Sequence, residues 1–459
     1  MSLDWAAIDR WLMGEAWVGS QIEQHLTALC RQIGPRWSSS EGERQAVAYI
    51  RERMVEYALT DARLEDFPLD TWEHGLAEAS LVESDRQIDL LPFLFCPAVD
   101  LRGPILDLGF GMPHELEAVR ERLPGAVAVV NLAAEPFTEP KPLSDRLQDL
   151  RAGDAVAAVV VERKSGRRME YHSATDWRTA GELDHPLPAV ITSREDGAHL
   201  RALAASGHSL AINVSSRAYR ATGTNTVADL PGAKWPDEWI VIGAHHDTVP
   251  NSPGGNDNAS GTTVVLETAR VLSLLQQERG IGPGCSIRFV TFGAEEQALQ
   301  GSYAYVERHH SSGPLPRFAL NLDELAAGPM KGVVLNFPHL RPLIQRTLDT
   351  LSDGLQCHVL AQLDASSDWF PFARRGIPSA MPWRWRFVGR HPDADFHHEP
   401  GDTADKVRPS ELREYVGLLA RLLLRLSHLP LAEWPADPLR VDDIEARLKE
   451  ELGTVPRTM

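Results

Sequence analysis

The sequence predicts an α/β protein in which a mostly parallel, mixed sheet is covered by helices on both faces, with a smaller α/β domain inserted into it. Three observations predict this fold class. Hydrophobic residues make up 43% of the 459 residues, the proportion of a globular protein with a substantial core. From residue 222 onward, strand patterns alternate with helical ones, as in βαβ units. Between about 76 and 215 the pattern differs, which indicates an insertion.

The residues before the insertion, 1–75, are expected to belong to the larger domain. Apolar residues recur at helical spacing over 22–59, but the turn-rich segment 34–40 interrupts them. Two helices joined by a loop are therefore expected. Residues 63–69 are expected to form a strand.

The insertion, residues 76–215, is expected to be a compact α/β domain. Its short apolar runs are rich in valine and predict buried strands, while residues 145–150 predict a helix. The three strand runs are 125–132, 155–161 and 187–192.

The main part of the larger domain, residues 216–430, alternates strands with helices, and residues 431–459 are expected to form a tail with a short helix. Ligands of open α/β sheets bind outside the carboxyl ends of the strands, so polar residues directly after a strand are candidates for function. The expected strands are 226–230, 238–243, 286–292 and 318–322, and the expected helices are 261–275 and 409–426.

Composition excludes several classes of partner and location. The chain has 64 acidic and 46 basic residues, a net charge of −18, which would repel nucleic acid and anionic membrane surfaces. Its apolar runs are shorter than the roughly 20 residues that a membrane span needs. The first ten residues show no secretory signal, so a cytoplasmic location is expected, with a mature secreted form left open. The four cysteines are far apart and indicate neither a disulfide framework nor a cysteine zinc site.

Two polar clusters follow the first strands of the main segment. His245 ends one strand pattern, and Asp247 is spaced to accept the second ring N–H of that histidine, as in metal sites. The glycine-rich segment around Asp257 opens a helix. Taken alone, it is typical of a turn in which Asp257 or Asn258 caps the helix.

Three more clusters complete the candidate site. Glu295 and Glu296 end a buried strand, and two adjacent carboxylates there would repel each other unless a cation lies nearby. Asp323 follows another strand, and His397 and His398 lie in a later loop. Imidazoles with several carboxylates are ligands suited to Zn²⁺, with Co²⁺ or Mn²⁺ as alternatives.

These motifs, in this order and with twelve residues from His245 to Asp257, resemble the co-catalytic two-zinc exopeptidases, which include bacterial aminopeptidases and plasma glutamate carboxypeptidase. The resemblance covers about 215–430 strongly and 20–70 more loosely. It extends to 366–379, where Trp369 replaces the usual histidine. The motifs are GAHHD, GGNDNASG, FGAEEQALQGS, NLDE and HHEPGDT.

The resemblance implies a role for each candidate. Asp257 would bridge two zinc ions, and Glu295 would be the general base. Two divalent ions and three ligand carboxylates leave a residual charge that favours a bridging hydroxide. Because successive side chains diverge on a strand, the two adjacent glutamates can have separate roles. His245 and Asp323 would complete one zinc site, Glu296 and His398 the other, and His397 stands where the family has an oxyanion-binding tyrosine.

The insertion is similar to a protease-associated domain, with steric gating or dimer packing as its expected role. Near the end of the chain, aromatic and cationic residues alternate. They fit a surface hairpin as well as they fit a substrate pocket in which an arginine binds a peptide carboxylate. These substrate candidates are Trp383, Arg384, Trp385 and Arg386.

The expected function is that of a di-zinc exopeptidase, an aminopeptidase or dipeptidase that hydrolyses short peptides. Whether the chain forms a homodimer is left open. A glutaminyl cyclase-like acyltransferase is one alternative, although such enzymes typically use one zinc ion and every ligand of a bridged site is retained here. A binding protein on a peptidase fold is the other, and it would require missing ligands.

Overall fold

The computed structural model describes residues 3–84, 86–173, 187–384, 392–435 and 439–454. Within them the chain divides into two compact units. The first unit contains 3–69, 222–384, 400–435 and 439–451, and the second contains 70–84, 86–173, 187–221, 392–399 and 452–454.

Thirteen strands and twelve α-helices lie in the described part of the chain. The strands are β1 (Thr60–Leu81), β2 (Gln87–Pro92), β3 (Val99–Asp107), β4 (Val127–Asn131), β5 (Ala157–Val161), β6 (Ala189–Thr192), β7 (Ser209–Leu230), β8 (Trp235–His245), β9 (Cys285–Phe292), β10 (Phe318–Asn321), β11 (Met330–Leu335), β12 (Gln356–Val359) and β13 (Ser379–Arg384). The helices are α1 (Trp5–Val18), α2 (Ile22–Leu26), α3 (Glu41–Glu56), α4 (Pro113–Ala118), α5 (Leu143–Ala152), α6 (Arg194–Ala204), α7 (Gly261–Arg279), α8 (Gln300–His310), α9 (Arg341–Asp349), α10 (Trp369–Arg374), α11 (Pro409–His428) and α12 (Val441–Thr454).

The sheet of the first unit runs in the order β7-β9-β8-β10-β13-β11-β12. Strand β8 is parallel to both β9 and β10, and β10 is parallel to β13. The sheet also contains antiparallel pairs, β7 with β9 and β11 with β13. The expected mostly parallel, mixed sheet is thus confirmed, and the carboxyl ends of β8, β9 and β10 share one edge.

Both faces of this sheet are buried, as the sequence predicted. Ile240 and Ile242 of β8 pack in a core with helices α7 and α11, while Val241 between them packs on the other face with residues of α8 and α10. Side chains alternate between the faces of a strand, so a continuous apolar run requires cover on both sides. The two helices α7 and α11 are themselves buried over most of their length.

The second unit contains the parallel strands β3, β4, β5 and β6, with β2 antiparallel to β6 and residues 209–214 of β7 antiparallel to β3. Its core is built from valine, alanine, leucine and isoleucine side chains of these strands and of α6. The three strands and the helix expected within the insertion are confirmed at β4, β5, β6 and α5. Its likeness to a protease-associated domain stays a prediction.

Within the described residues, no helix is both long enough and apolar enough to cross a membrane.

A buried carboxylate on β1 ties this strand to α8. Glu65 accepts hydrogen bonds from Arg63 and Arg308, and its Oε2 lies 2.8 Å from Nε2 of His309. Burial favours the neutral carboxyl, but His309 and Arg63 outweigh it and lower the pKa of Glu65 to about 2. The ionised carboxylate therefore stabilises the folded chain.

We expect Glu65→Gln to lower the free energy of unfolding by about 1–2 kcal/mol at pH 7. A carboxyl whose folded-state pKa is depressed contributes stability that is present above its unfolded pKa of about 4.3, and this contribution is lost as the pH falls toward 2. Urea unfolding of both proteins from pH 7 to pH 3 measures the difference, which should shrink below pH 4. Glu41→Gln, at an exposed pair with Arg44, is the control and should leave the midpoint unchanged. A pH-independent difference for Glu65→Gln would contradict the expectation.

Candidate metal centre

His245 ends β8 and lies at the centre of the candidate site, with 1% of its side chain exposed. Its Nδ1 lies 3.2 Å from the backbone oxygen of Asp247 and 3.4 Å from Oδ1 of the same residue. Its Nε2 lies 3.1 Å from Oδ1 of Asp257 and 3.3 Å from Oδ1 of Asp323. An imidazole that donates through Nδ1 would present a bare Nε2 to two carboxylates, which is an arrangement of metal ligands.

The charges around His245 fit a cation. Burial opposes a charge on the ring, but the carboxylates of Glu295 and Asp323 outweigh burial and raise the pKa of His245 well above its usual value. The negative potential that would hold a proton on this ring would also hold a divalent ion. One imidazole with buried carboxylates is a donor set suited to zinc.

Asp257 lies in the turn that leads into α7, and other side chains hold this turn by its backbone. The N–H groups of Asn256 and Asp257 donate to the two carboxylate oxygens of Asp402, at 2.8 and 2.9 Å. Asn258 accepts the N–H of Gly261 at the start of α7 through Oδ1. Of the two residues considered as helix caps, Asn258 thus bonds to the helix, and the carboxylate of Asp257 contacts His245.

The Glu295–Glu296 segment follows β9 in a turn. Because β9 ends at Phe292 and Ala294 has a φ of +56°, the alternation of side chains on a strand does not apply to these glutamates. Their backbone N–H groups donate to the two oxygens of Asp247, at 3.1 and 3.3 Å. Asp247 therefore contacts both the ring of His245 and the backbone of this turn.

The carboxylate of Glu295 lies among the donors of the site. Its oxygen, an oxygen of Asp323 and a ring nitrogen of His245 all lie within 4.8 Å of one another. Burial raises the pKa of Glu295 well above its usual range; His245 opposes this shift, and the nearby carboxylate of Glu296 adds to it. Glu296 is also buried, with 2% of its surface exposed.

Three buried residues near the site were not assigned a role from the sequence. Asp402 lies within the HHEPGDT motif, which was the signal for it. Asp368 precedes α10 in the segment 366–379, and burial raises its pKa to about 8 although the charge of His245 opposes the shift. Arg36 belongs to the turn-rich segment after the first predicted helix.

Arg36 is wholly buried and binds the loops of the site by their carbonyl groups. Its Nε donates to the oxygen of His246 at 2.7 Å, and its terminal nitrogens donate to the oxygens of Pro253 and Gly254 at 2.7 and 3.2 Å. These carbonyls flank Asp247 on one side and the turn of Asp257 on the other. The guanidinium thus fixes two site segments to each other.

His397 and His398 belong to the second unit. Their rings are stacked, with centroids 3.5 Å apart. Nδ1 of His398 lies 3.0 Å from the backbone oxygen of Tyr171, and the N–H of Tyr171 donates to the oxygen of His398 at 3.0 Å. Since a carbonyl only accepts, Nδ1 donates this bond, and in the neutral ring Nε2 is then the nitrogen with acceptor character.

The second unit also contains a group of metal-type donors that the sequence did not indicate. Glu162, Glu170 and His172 have donor atoms within 4.8 Å of one another. The ammonium of Lys164 bonds to Glu170 in the same cluster and supplies its cation. We therefore do not assign a metal to this cluster.

The substrate candidates lie at and beyond the end of β13. Trp383 packs edge-on against the ring of His358, with centroids 4.1 Å apart. Arg384 is the last residue of β13. Trp385 and Arg386 lie outside the described residues. Their role as a pocket stays a prediction.

Known peptidases are similar to this chain in sequence. Residues 225–423 match the sequence profile of peptidase family M28. Aminopeptidase YwaD of Bacillus subtilis strain 168 is 25% identical over 409 residues, which cover 85% of this chain and 80% of that protein. Carboxypeptidase Q of Xenopus laevis is 24% identical over 399 residues, which cover 83% of this chain and 80% of that protein.

Solved structures share the fold. A peptidase M28 precursor from Shewanella amazonensis superposes with a TM-score of 0.75 at 19% identity, covering 95% of this chain and 98% of that one. A zinc aminopeptidase from Bacillus subtilis superposes with a TM-score of 0.70 at 21% identity, covering 91% and 97%. The fold, the site and these relatives define a metallo-exopeptidase. The similarity to peptidase family M28 lies in residues 225–423.

We expect Asp402→Asn to lower the free energy of unfolding by about 1–3 kcal/mol, because an amide can accept only one of the two N–H bonds and turns its NH₂ group toward the other donor. Chemical denaturation at pH 7 measures the loss. Asp405→Asn is the matched control in the same loop, where the exposed carboxylate bonds to Thr403 and Lys406. Equal stability of the two variants would contradict the role of Asp402.

Proposed function

We propose that this protein is a di-zinc exopeptidase that acts on short peptides as an aminopeptidase or dipeptidase. The observation that most supports it is the buried Nε2 of His245, which faces the carboxylates of Asp257 and Asp323 at the carboxyl edge of the sheet. The names of the relatives agree, since one is an aminopeptidase and another a carboxypeptidase.

The proposed ligands follow the motifs of the sequence. Asp257 would bridge two ions, with His245 and Asp323 on one ion and Glu296 and His398 on the other. Bound zinc would supply Lewis-acid polarisation of the scissile carbonyl and would lower the pKa of a water molecule. Proton transfer and stabilisation of the oxyanion would depend on side chains of this chain.

Glu295 is the proposed general base. Its buried carboxylate, with a pKa raised well above the usual range, can accept a proton from the attacking water near neutral pH. The same carboxyl can then donate this proton to the amine of the leaving fragment. Asp247 positions it, because its carboxylate accepts the backbone N–H of Glu295.

His397 is the proposed oxyanion donor, at the position where the family has tyrosine. A protonated imidazole nitrogen can donate a hydrogen bond to the developing oxyanion as a phenol does. Its ring is stacked on that of His398, which restricts its orientation. Donation requires a ring nitrogen that carries a proton.

Whether the enzyme removes residues from the amino or the carboxyl terminus of a peptide can be determined by an experiment that assumes neither. Digestion of a synthetic peptide library, read by mass spectrometry, should show loss of single amino-terminal residues or cleavage of dipeptides. Blocking the amino terminus by acetylation should then abolish cleavage. Release of carboxyl-terminal residues from blocked peptides would instead assign a carboxypeptidase, and no cleavage with zinc bound would refute the proposal.

We expect Glu295→Gln to lower kcat by about 10²–10⁴-fold while the zinc content remains at the wild-type level, because the amide cannot accept the proton. Steady-state kinetics with elemental analysis of the same sample tests this. Glu307→Gln, at an exposed position on α8, is the control and should leave kcat unchanged. Full activity of Glu295→Gln would remove Glu295 from the role of base.

We expect Asp257→Asn to lose at least one of two zinc ions per chain, because a neutral amide binds a divalent ion far more weakly than a bridging carboxylate does. Dialysis followed by elemental analysis measures zinc per chain. Asp405→Asn again serves as the control. Two tightly bound ions in Asp257→Asn would contradict the bridging role.

A further inference from the structure

Residues 392–399, which include His398, group with the second unit, although the residues that follow them, from 400 onward, belong to the first. Among the described residues, several side chains and backbone groups of one segment, 163–171, contact 392–399 within the second unit; this segment follows β5. This segment has no assigned function.

Arg168 makes several of these contacts. Its Nε donates to Oε2 of Glu399 at 2.9 Å, and its Nη1 donates to the backbone oxygen of Asp393 at 2.8 Å. Its Nη2 bonds to the backbone oxygen of Asp395 and to the other oxygen of Glu399. The guanidinium also lies over the ring of Phe396, 4.6 Å from its centroid. One side chain therefore binds the segment before and after the two histidines.

These contacts have the geometry of strong and directional interactions. A forked guanidinium–carboxylate pair fixes both distance and orientation, which a single point charge does not. The carboxylate of Glu399 is buried, with 3% of its side chain exposed, so solvent screens this pair weakly.

The same segment sets the ring of His398. The backbone of Tyr171 pairs with His398 in both directions, once through its N–H and once through the ring Nδ1. Lys164 also approaches the backbone oxygen of His397, at 3.4 Å. The position of the main chain and the tautomer of the imidazole are thus both determined by 163–171.

We propose that Arg168 is a positioning residue for His398, which it holds through contacts within the second unit. This rests on the proposed function, because it takes His398 as a ligand. A ligand held in its binding geometry before the ion arrives raises metal affinity, and loss of such outer contacts typically costs 10–100-fold.

The test compares Arg168→Ala with Arg167→Ala. Arg167 is the adjacent arginine and bonds to Asp89 and Asp196 in the same unit, so its loss removes a comparable side chain. Zinc affinities of both sites are measured by chelator competition, and hydrogen exchange of peptides covering 392–399 is measured in the zinc-free proteins. Cobalt-substituted samples supply an absorption spectrum that reports the coordination of each ion.

We expect Arg168→Ala to lower the affinity for one zinc ion by about 10–100-fold and to leave the affinity for the other ion at the wild-type value. Hydrogen exchange at 392–399 should be faster than in the wild type. The kcat of Arg168→Ala should fall more than its KM changes, while Arg167→Ala behaves as the wild type does in each measurement. Arg168→Lys, which keeps the charge without the fork, should lie between Arg168→Ala and the wild type; it also serves if the alanine variant fails to fold.

The proposal would be overturned if Arg168→Ala and Arg167→Ala had equal zinc affinities and equal rates of exchange. It would also be overturned if Arg168→Ala lowered the affinity for both ions equally and lowered the unfolding midpoint. These results differ from a failure of the proposed function. In that case the wild-type protein itself would bind no zinc or cleave no peptide.

Discussion

The structure of the site depends on one electrostatic constraint, the burial of several carboxylates around a single imidazole. Asp257, Asp323 and Glu295 surround or approach His245, and Asp368 is wholly buried nearby. Buried charges of one sign are costly unless a cation or a shared proton compensates them. In this protein the compensation points toward a metal ion, because Nε2 of His245 faces the carboxylate oxygens of Asp257 and Asp323.

Charged side chains that bind backbone groups keep this arrangement in place. Asp247 and Asp402 each accept two N–H groups of the segments that carry Glu295 and Asp257, and Arg36 donates to carbonyls of the flanking residues. Hydrogen bonds that involve an ionised partner are stronger than neutral ones. They fix the backbone on which the functional carboxylates are carried, which is the condition for a preorganised site.

The sequence predicted much of the fold and of the candidate site, for a physical reason. Strands of a parallel sheet end at one edge, so His245, Glu295 and Asp323, each near the end of a strand pattern, had to lie close together. The alternation of side chains along a strand did not apply to the residues directly after β9. Glu295 and Glu296 lie in a turn with Ala294 at positive φ, which no alternation rule describes. Local sequence pattern could not predict the partners of Asp402 and Arg168 either, because these residues bind groups 145 and 231 positions away along the chain.

The sequence by itself determined the chemistry of the donors, their order and the strands that carry them, because residue identity, spacing and hydrophobic period are local properties. Only the tertiary structure decided which charged groups hold those donors in position. Asp402 binds the turn of Asp257, Arg36 joins two site segments, and Arg168 of the second unit binds the segment that carries His398. Such contacts join residues that are distant along the chain, so they arise when the chain folds and leave no periodic trace in the sequence.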